Sequence, residues 1–362
     1  MWDLAVREED YDAVDAMLSR YARAPLSMRL LPAFARGDSA TRARFVAEAT
    51  SSDSRQSQIS ARYVATFLEN FAAAESLARL DLQERRRPPI RLGAQLFLAW
   101  LELARGRWSA GNAAFERAKT MEGASGVELE RAIAAATLPF LQVPLADLGE
   151  IRADVERLDA GAGSVQTGGL AAQLRPHLRL YLLSLLSSRL GDRQTAARYA
   201  AELEALPAPT EASGLTRDFA RTARADIALR EGNAADALAL LEDVRGEVPL
   251  ELVYLKVFAT VREFGQEHAR YLRAEALMAL RRYDEALRWY QTSFQGSPAE
   301  LVYLAPVHLR QAQIFEARGD RAKAVTHYRR FAELWSEPDA PLVPSVSDAK
   351  TRAGRLAAAV TH

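Results

Sequence analysis

The chain of 362 residues contains no cysteine, which excludes disulfide bonds, thiolate metal sites and cysteine nucleophiles together. It also lacks any run of about 18 apolar residues, so the sequence predicts no membrane-spanning helix. The first residues, MWDLAVREEDY, have neither the basic nor the apolar region of a signal peptide. These absences predict a cytoplasmic protein that makes no contact with a membrane.

Neither sign of charge is in excess, because 47 basic residues balance 47 acidic ones. Nucleic-acid binding usually requires a basic surplus, since phosphate contacts dominate the affinity. The neutral total therefore predicts no nucleic-acid contact by this chain, with a local basic patch as the alternative. With 49% apolar and 26% charged residues, the composition is that of a folded protein. The length exceeds what a single hydrophobic core fills, which indicates two domains or an elongated repeat.

Sequence motifs of known catalytic sites are missing. The chain has no phosphate-binding G-x-x-x-x-G-K-[ST], no G-x-S-x-G and no kinase H-R-D, and Asp218-Phe219 is followed by Ala220 rather than Gly. No two histidines stand four residues apart, as a helical metal site would need, and each is predicted to be exposed or half-buried. The histidines are His177, His268, His308, His327 and His362. The sequence thus predicts no catalytic residue, no metal site, no cofactor and no enzyme.

Apolar residues recur at spacings of three and four residues, whereas alternating β-branched residues and hairpin turns are scarce. One such apolar stripe is Leu92, Leu96, Ala99 and Leu103. Alanine and arginine, which favour helices, fill many of the remaining positions, and proline and glycine fall between the segments. The pattern predicts an all-α fold.

A repeated pattern follows the helix ends. A turn is followed by a small residue, which allows two helices to approach closely, and then by a large apolar residue, which fills the space toward the next pair. The turns are at Gly106, Gly191, Gly232, Arg281 and Gly319. The small residues are Gly111, Ala196, Ala237, Ala286 and Ala324. The large residues are Phe115, Leu241, Tyr290 and Tyr328. Such units leave an apolar face uncovered and must stack.

These residues resemble the tetratricopeptide repeat family, most closely between about 267 and 335. The residues at the family's positions are Ala274, Tyr283, Ala286, Tyr290, Pro298, Ala312, Phe315, Gly319, Ala324 and Tyr328. The resemblance implies a right-handed α-solenoid of antiparallel helix pairs. The predicted solenoid is continuous, with degenerate repeats over 1–160 and clearer repeats over 170–362. It ends in a capping helix, Val346 to Ala359. Pro139, Pro144 and residues 161–169 interrupt it.

Both ends of the sequence carry further expectations. Residues 9–14 look like the start of a second helix, with too few residues before them for a first helix, so we expect a C-terminal part of a longer protein. A short atypical cap is the alternative. The ending is similar to the tails of bacterial signalling proteins, in which a serine/threonine kinase or a DNA-binding regulator precedes a tetratricopeptide array.

The family binds its partners in a groove lined by the first helix of each pair. The residues that fall on comparable faces are Trp100, Tyr181, Asp226, Arg230, Tyr271, Glu275 and Gln313. Some members hold a peptide carboxylate there with Lys, Arg and Asn. The matching positions here are Thr222, Asp226, Tyr271 and Glu275, which argues against such a clamp. The run of residues 85–87, three arginines, is interpreted as a solvated loop between helices, with contact to an acidic partner or to nucleic acid as the alternative.

Three functions remain open. The first is a non-catalytic scaffold that binds a protein, a peptide or its own upstream domain. The second is a region that senses a small ligand and controls an attached kinase or DNA-binding domain. A closed apolar pocket around Trp100 or Tyr181 would indicate this second function. The third is a helical enzyme with scattered catalytic residues, which would need buried, converging titratable groups.

Overall fold

The computed structural model describes residues 5–6, 8–20, 26–51, 61, 64–65, 68–124, 126–158, 169–252, 266–292 and 298–359. In these ranges the regular structure is helical, which confirms the all-α prediction. The α-helices are α1 (Tyr11–Leu18), α2 (Leu26–Ala35), α3 (Ser39–Ser51), α4 (Phe71–Arg79), α5 (Pro88–Ala104), α6 (Trp108–Lys119), α7 (Val127–Thr137), α8 (Leu145–Arg157), α9 (Leu170–Gln173), α10 (Arg175–Arg189), α11 (Arg193–Ala205), α12 (Ser213–Arg230), α13 (Ala234–Glu242), α14 (Glu267–Ala279), α15 (Tyr283–Gln291), α16 (Leu304–Ala317), α17 (Arg321–Leu334) and α18 (Val343–Ala358). Short 3₁₀ helices cover Leu80–Leu82, Thr210–Ala212, Pro298–Tyr303 and Ala340–Leu342. None of the described helices has the length and hydropathy to cross a membrane.

Each predicted turn has a left-handed residue. Gly106, Gly191, Gly232 and Gly319 have φ between 75° and 84°, and Arg281 has φ 57°. Where aspartate follows the glycine, its side chain caps the next helix. The carboxylates of Asp192 and Asp320 accept hydrogen bonds from backbone N–H groups three residues on. Short-range chemistry therefore ends one helix and begins the next within a few residues.

The chain divides into two compact units. Unit 1 comprises Met1–Leu103 and Ser109–Ala124, and unit 2 comprises Ala104–Trp108 and Ser125–His362. The predicted interruption at 161–169 lies outside the described residues except for Gly169. Because compactness and repeat membership are different properties, the predicted domains 1–160 and 170–362 stay a prediction.

In unit 1, consecutive helices pack against one another, α1 on α2 and α2 on α3. Further along, Gly111 of α6 lies against Leu103 of α5 so closely that an added Cβ would stand 2.6 Å from Leu103 Cδ2. Phe115 is fully buried and lies edge-on to Trp100, with the ring centroids 6.2 Å apart. The predicted close approach at Gly111 is therefore confirmed, whereas the contact shown for Phe115 lies within the pair rather than toward the next one.

In unit 2, four pairs of described helices pack together: α10 with α11, α12 with α13, α14 with α15, and α16 with α17. Each pair also contacts the next, and α18 packs on α17 as the predicted final helix. The predicted small residues at the pair contacts are all fully buried, namely Ala196, Ala237, Ala286 and Ala324. The predicted large residues are buried as well, namely Leu241, Tyr290 and Tyr328. The repeat pattern thus marks buried positions of the paired helices.

Trp335, after α17, packs against the turn that precedes Trp108. Its indole Nε1 donates a hydrogen bond to the Ala104 carbonyl at 2.9 Å, and Asp339 N donates to the Gly106 carbonyl at 3.1 Å. Trp108 is buried, and its Nε1 donates to Asp147 Oδ2 at 2.7 Å. Residues more than two hundred positions apart therefore meet within unit 2.

Replacing Gly106 with Ala should cost more stability than replacing Gly319 with Ala. Both glycines have a left-handed φ, so both changes carry strain of about 1 kcal/mol. Only at Gly106 would the new Cβ meet a neighbour, Trp335 Cδ2 at 2.9 Å, whereas Gly319 faces open space. We expect a further loss of about 1–3 kcal/mol for G106A, measured by urea unfolding. Equal losses for the two variants would contradict the Trp335 contact.

Two predictions about polar residues are wrong. The loop of residues 85–87 is not simply solvated, because Arg86 is only 2% exposed and its Nε lies 3.4 Å from the buried Asp81 carboxylate. His268 and His177 are buried rather than exposed or half-buried. Burial favours the neutral imidazole and lowers the pKa of both histidines. Local sequence does not reveal this burial, since it depends on which helices pack over each side chain.

Candidate functional site

The seven candidate residues are distributed unequally. Trp100 lies in unit 1, nearly buried against Phe115. Tyr181 lies in unit 2, where it is 1% exposed and its ring stacks on Phe219 with centroids 4.8 Å apart. Of the other five, all in unit 2, four belong to two polar clusters, and Tyr271 belongs to an aromatic cluster. The candidates are therefore not one continuous set of side chains.

Three helices meet at the Glu275 cluster, which comprises Glu275, Tyr290, Arg310 and Gln313. Glu275 Oε1 accepts a hydrogen bond from Tyr290 Oη at 2.5 Å, and Arg310 donates to Oε1 at 2.8 Å and to Oε2 at 2.6 Å. Arg310 Nη1 also donates to Gln313 Oε1 at 3.0 Å. Since Glu275 belongs to α14 and Arg310 to α16, this forked ion pair joins two consecutive helix pairs.

Electrostatics keep the donors of the Glu275 cluster protonated. Burial, and then the charge of Glu275, raises the pKa of Tyr290 and of the adjacent Tyr271 well above the ordinary phenol value. Burial by itself lowers the pKa of Arg310, but the Glu275 carboxylate outweighs that effect and raises it. These groups therefore hold and orient a carboxylate, and neither phenol serves as a base at neutral pH.

Tyr271 belongs to the aromatic cluster, which comprises Phe140, Tyr271, Tyr303 and Trp335. The Phe140 ring lies 5.5 Å from Tyr271, 5.4 Å from Tyr303 and 6.3 Å from Trp335, measured between centroids. Phe140 comes from residues 138–143, between α7 and α8, which we call the internal turn. It is half-buried, whereas Tyr271 is 4% exposed. The Phe140 side chain thus occupies the space between the other three aromatic rings.

The backbone around the internal turn is bound by Arg189, at the end of α10. Its guanidinium donates to the carbonyls of Ala135, Leu138 and Leu141 at 2.6, 2.8 and 2.7 Å. Burial, and then the charge of Arg230, lowers the pKa of Arg189 to about 10, so it remains a cation at neutral pH. One arginine therefore holds three main-chain carbonyls of a different segment.

Tyr303 adds a fourth contact with the same segment. Its hydroxyl donates to the Thr137 carbonyl at 3.0 Å. Its ring contacts Phe140, so one residue binds both the backbone and the side chain of neighbouring positions. Backbone carbonyls and one aromatic ring are features that almost any peptide segment with an aromatic residue presents.

The Asp226 cluster comprises Ser188, Asp226, Arg230 and His268. Asp226 Oδ2 accepts from Ser188 Oγ at 2.7 Å and from Arg230 Nε at 2.8 Å, while His268 Nε2 lies 3.8 Å from Oδ1, beyond hydrogen-bond length. Burial alone would raise the pKa of Asp226, but the charge of Arg230 and its hydrogen bond lower it below the ordinary value. The carboxylate is ionised and ties α10 to α12.

Sequence reasoning missed the contact between His308 and His327. Their Nδ1 atoms are 2.8 Å apart, so one neutral imidazole donates to the other, and His327 stacks on Phe315. Burial, then His327, lowers the pKa of His308 to about 3, and burial and Lys323 lower that of His327. The positions of the two histidines on either side of the Gly319 turn were the one available signal.

Acidification should destabilise the protein through His308. Its pKa is about 3 when folded and 6.5 when unfolded, so the unfolded chain binds the extra proton between these values. The contribution is fully present above about pH 6.5 and falls by about 1 kcal/mol per pH unit toward pH 3. Replacing His308 with Gln should flatten this part of the stability profile, measured by thermal unfolding at a series of pH values. An unchanged slope would contradict the assignment.

Among the described residues, no three His, Asp or Glu side chains converge as metal ligands. Glu275, Asp226, Arg189 and Arg310 are instead engaged with donors and acceptors of the chain itself. The arrangement is suited to holding backbone carbonyls and rings in place. Comparisons with models of protein families, with curated proteins and with solved structures give no match.

Proposed function

We propose that the chain is a non-catalytic interaction module of the tetratricopeptide type, a right-handed solenoid of antiparallel helix pairs that binds a peptide segment of a partner. The order of packing in unit 2 supports this, since each described pair contacts the next and the alanine predicted for each pair contact is fully buried. The turn residues and the repeat pattern, which led to the family resemblance, support it as well.

The internal turn is the observation that carries the proposal. Arg189 and Tyr303 bind main-chain carbonyls, and the aromatic cluster surrounds one ring. Peptide-recognition surfaces use main-chain hydrogen bonds for affinity and side-chain pockets for specificity. Both elements are present here, and three of the candidate residues, Tyr271, Glu275 and Gln313, lie in or next to them. The partner segment we propose carries an aromatic residue and takes the position of the internal turn.

The proposal extends to the kind of protein in which this module occurs. We place this module in the regulatory C-terminal region of a bacterial cytoplasmic signalling protein, where an upstream kinase or DNA-binding domain is the first partner to test. The similarity of the sequence ending to such proteins supports this placement. A module that binds its own upstream domain would regulate it by holding or releasing a segment, with no chemistry of its own.

Replacing Phe140 with Ala should increase the affinity for aromatic peptides. The variant removes the ring that competes for the aromatic cluster, while the main-chain contacts of Arg189 remain. Because a competing intramolecular state lowers the apparent affinity by its population, we expect a gain of about tenfold. Peptides are selected from a displayed random library on both proteins, and their dissociation constants are then measured by fluorescence anisotropy.

The matched control is Phe34→Ala, which removes another half-buried phenylalanine, in unit 1. It should leave the selected peptides and their affinities unchanged. If F140A and F34A bind the same peptides equally well, or if F140A selects no peptides with aromatic residues, the aromatic cluster is a structural contact only and the proposal fails at this site.

A further inference from the structure

A second surface of unit 2 has no part in the contacts of the internal turn. It is a cleft of about 550 Å³ between the end of α11, the loop that follows, and the first two thirds of α12. Its lining residues are Leu203, Glu204, Leu206, Ala208, Ser213, Thr216, Arg217, Ala220, Arg221, Arg224 and Leu240. A volume of this size accommodates one or two side chains of a bound segment.

Three arginines define the charge of this cleft. Arg217, Arg221 and Arg224 are spaced four and three residues apart on α12, so they project from one face of the helix. The lining contains one acidic residue, Glu204, and three cations minus one anion leave a net charge of +2. The cleft is thus locally basic in a chain whose total charge is zero.

The existing partners of these arginines are replaceable. Arg217 is exposed and its Nε donates to the Ser213 carbonyl of its own helix at 3.1 Å. Arg221 Nη2 lies 3.4 Å from the Asp243 carboxylate, which is 68% exposed, and its Nη1 donates to the Asp243 main-chain carbonyl at 2.9 Å. Arg224 pairs with Glu204, and both side chains are about half exposed. Exposed ion pairs contribute little to stability, so an incoming carboxylate can displace them at little cost.

The remaining lining is apolar. Leu203 and Ala220 are buried, and Leu206 and Leu240 are half-buried. A small inorganic anion would satisfy the arginines but leave this apolar floor uncovered. A segment with both carboxylates and an apolar side chain would use both features, since guanidinium groups bind carboxylates through paired hydrogen bonds.

We propose that this cleft docks an acidic peptide segment of a partner protein. An apolar side chain of the segment lies on the floor formed by Leu203, Ala220 and Leu240, and its carboxylates pair with Arg217, Arg221 and Arg224. The proposal rests on the function as an interaction module but uses a different surface from the aromatic cluster. It adds a partner class, acidic rather than aromatic, that the repeat pattern alone does not indicate.

The test uses a fluorescein-labelled peptide of alternating Glu and Leu, with a Gln-for-Glu version as its counterpart. Fluorescence anisotropy with the full chain should show binding of the Glu peptide that weakens as salt increases. The triple variant R217Q/R221Q/R224Q should weaken this binding by about tenfold or more. The Arg217 guanidinium donates within its own helix, to the Ser213 carbonyl. The single variant R217Q should therefore weaken binding of the Glu peptide by a smaller factor, without loss of thermal stability.

The matched control is R318Q/R321Q/R355Q, three partly or fully exposed arginines elsewhere in unit 2, which should leave the affinity unchanged. Equal loss in both triple variants, equal binding of the Gln peptide, or displacement by inorganic phosphate as effective as by unlabelled peptide would overturn the proposal. The F140A variant separates the two surfaces. If F140A alters aromatic-peptide binding and leaves Glu-peptide binding intact, the aromatic-cluster proposal and the cleft proposal are tested independently.

Discussion

Replacing Trp335 with Ala should lower the free energy of unfolding of unit 2 by about 3–5 kcal/mol. Trp335 is 3% exposed, contacts Phe331 and Phe140, and donates to the Ala104 carbonyl. The change removes a large buried ring and also leaves that carbonyl without its donor. Urea unfolding followed by far-UV circular dichroism measures the loss without relying on the fluorescence of the deleted tryptophan.

The matched control is Trp289→Ala. Trp289 is half-buried, and the Arg273 guanidinium lies over its ring, 4.2 Å from the centroid. A cation–π contact at such a site contributes about 1 kcal/mol, so W289A should cost far less than W335A. Similar losses for both variants would show that the contact between Trp335 and residues 104–106 adds little stability.

Replacing Asp226 with Ala should cost about 3 kcal/mol. The carboxylate is 1% exposed and bonds to Ser188 and Arg230, so its removal leaves a cation and a buried hydroxyl without their acceptor. The loss lies at the lower end for a buried pair because the Arg230 side chain is 33% exposed and can reach water. The pair Arg198–Glu202 has the same spacing but is exposed at both ends, so E202A should cost about 0.5 kcal/mol or less.

The contribution of Asp226 to the free energy of unfolding also depends on pH, and the sign of this dependence follows from its pKa. Its folded pKa is below the unfolded value, so its contribution is present above about pH 4 and is lost as the pH falls further. The stability difference between wild type and D226A should therefore shrink below about pH 4. A difference that stays constant through this range would mean that Asp226 is not the ionised partner of Arg230.

Much of the helical pairing could be predicted from sequence because it depends on short-range chemistry. A turn, a small residue and a large residue lie within about ten positions, and the structure buries Ala286 and Tyr290 where the pattern expects them. Glycine turns and aspartate caps are equally local. Such features specify where helices end and which faces meet their immediate neighbours.

The candidate site was less predictable, for a physical reason. Spacing along a helix places Asp226 and Arg230 on one face, and they do form a pair. Spacing says nothing about which distant segment covers that face. The internal turn, its Phe140 ring and the Arg189 contacts join segments about fifty or more positions apart. The same holds for the buried Arg86, whose charge predicts exposure unless its buried partner Asp81 is known.

One long-range contact should change the unfolding pathway of unit 2. It joins Trp335 to Ala104 and Asp339 to Gly106. In an open array each repeat touches only its neighbours, so the terminal repeats melt first and unfolding spreads inward. Here the last helices are joined to the first residues of the unit, so neither end is free to fray alone. Loss of that contact would convert one concerted transition into a stepwise one, visible as hydrogen exchange that becomes fastest in α17 and α18.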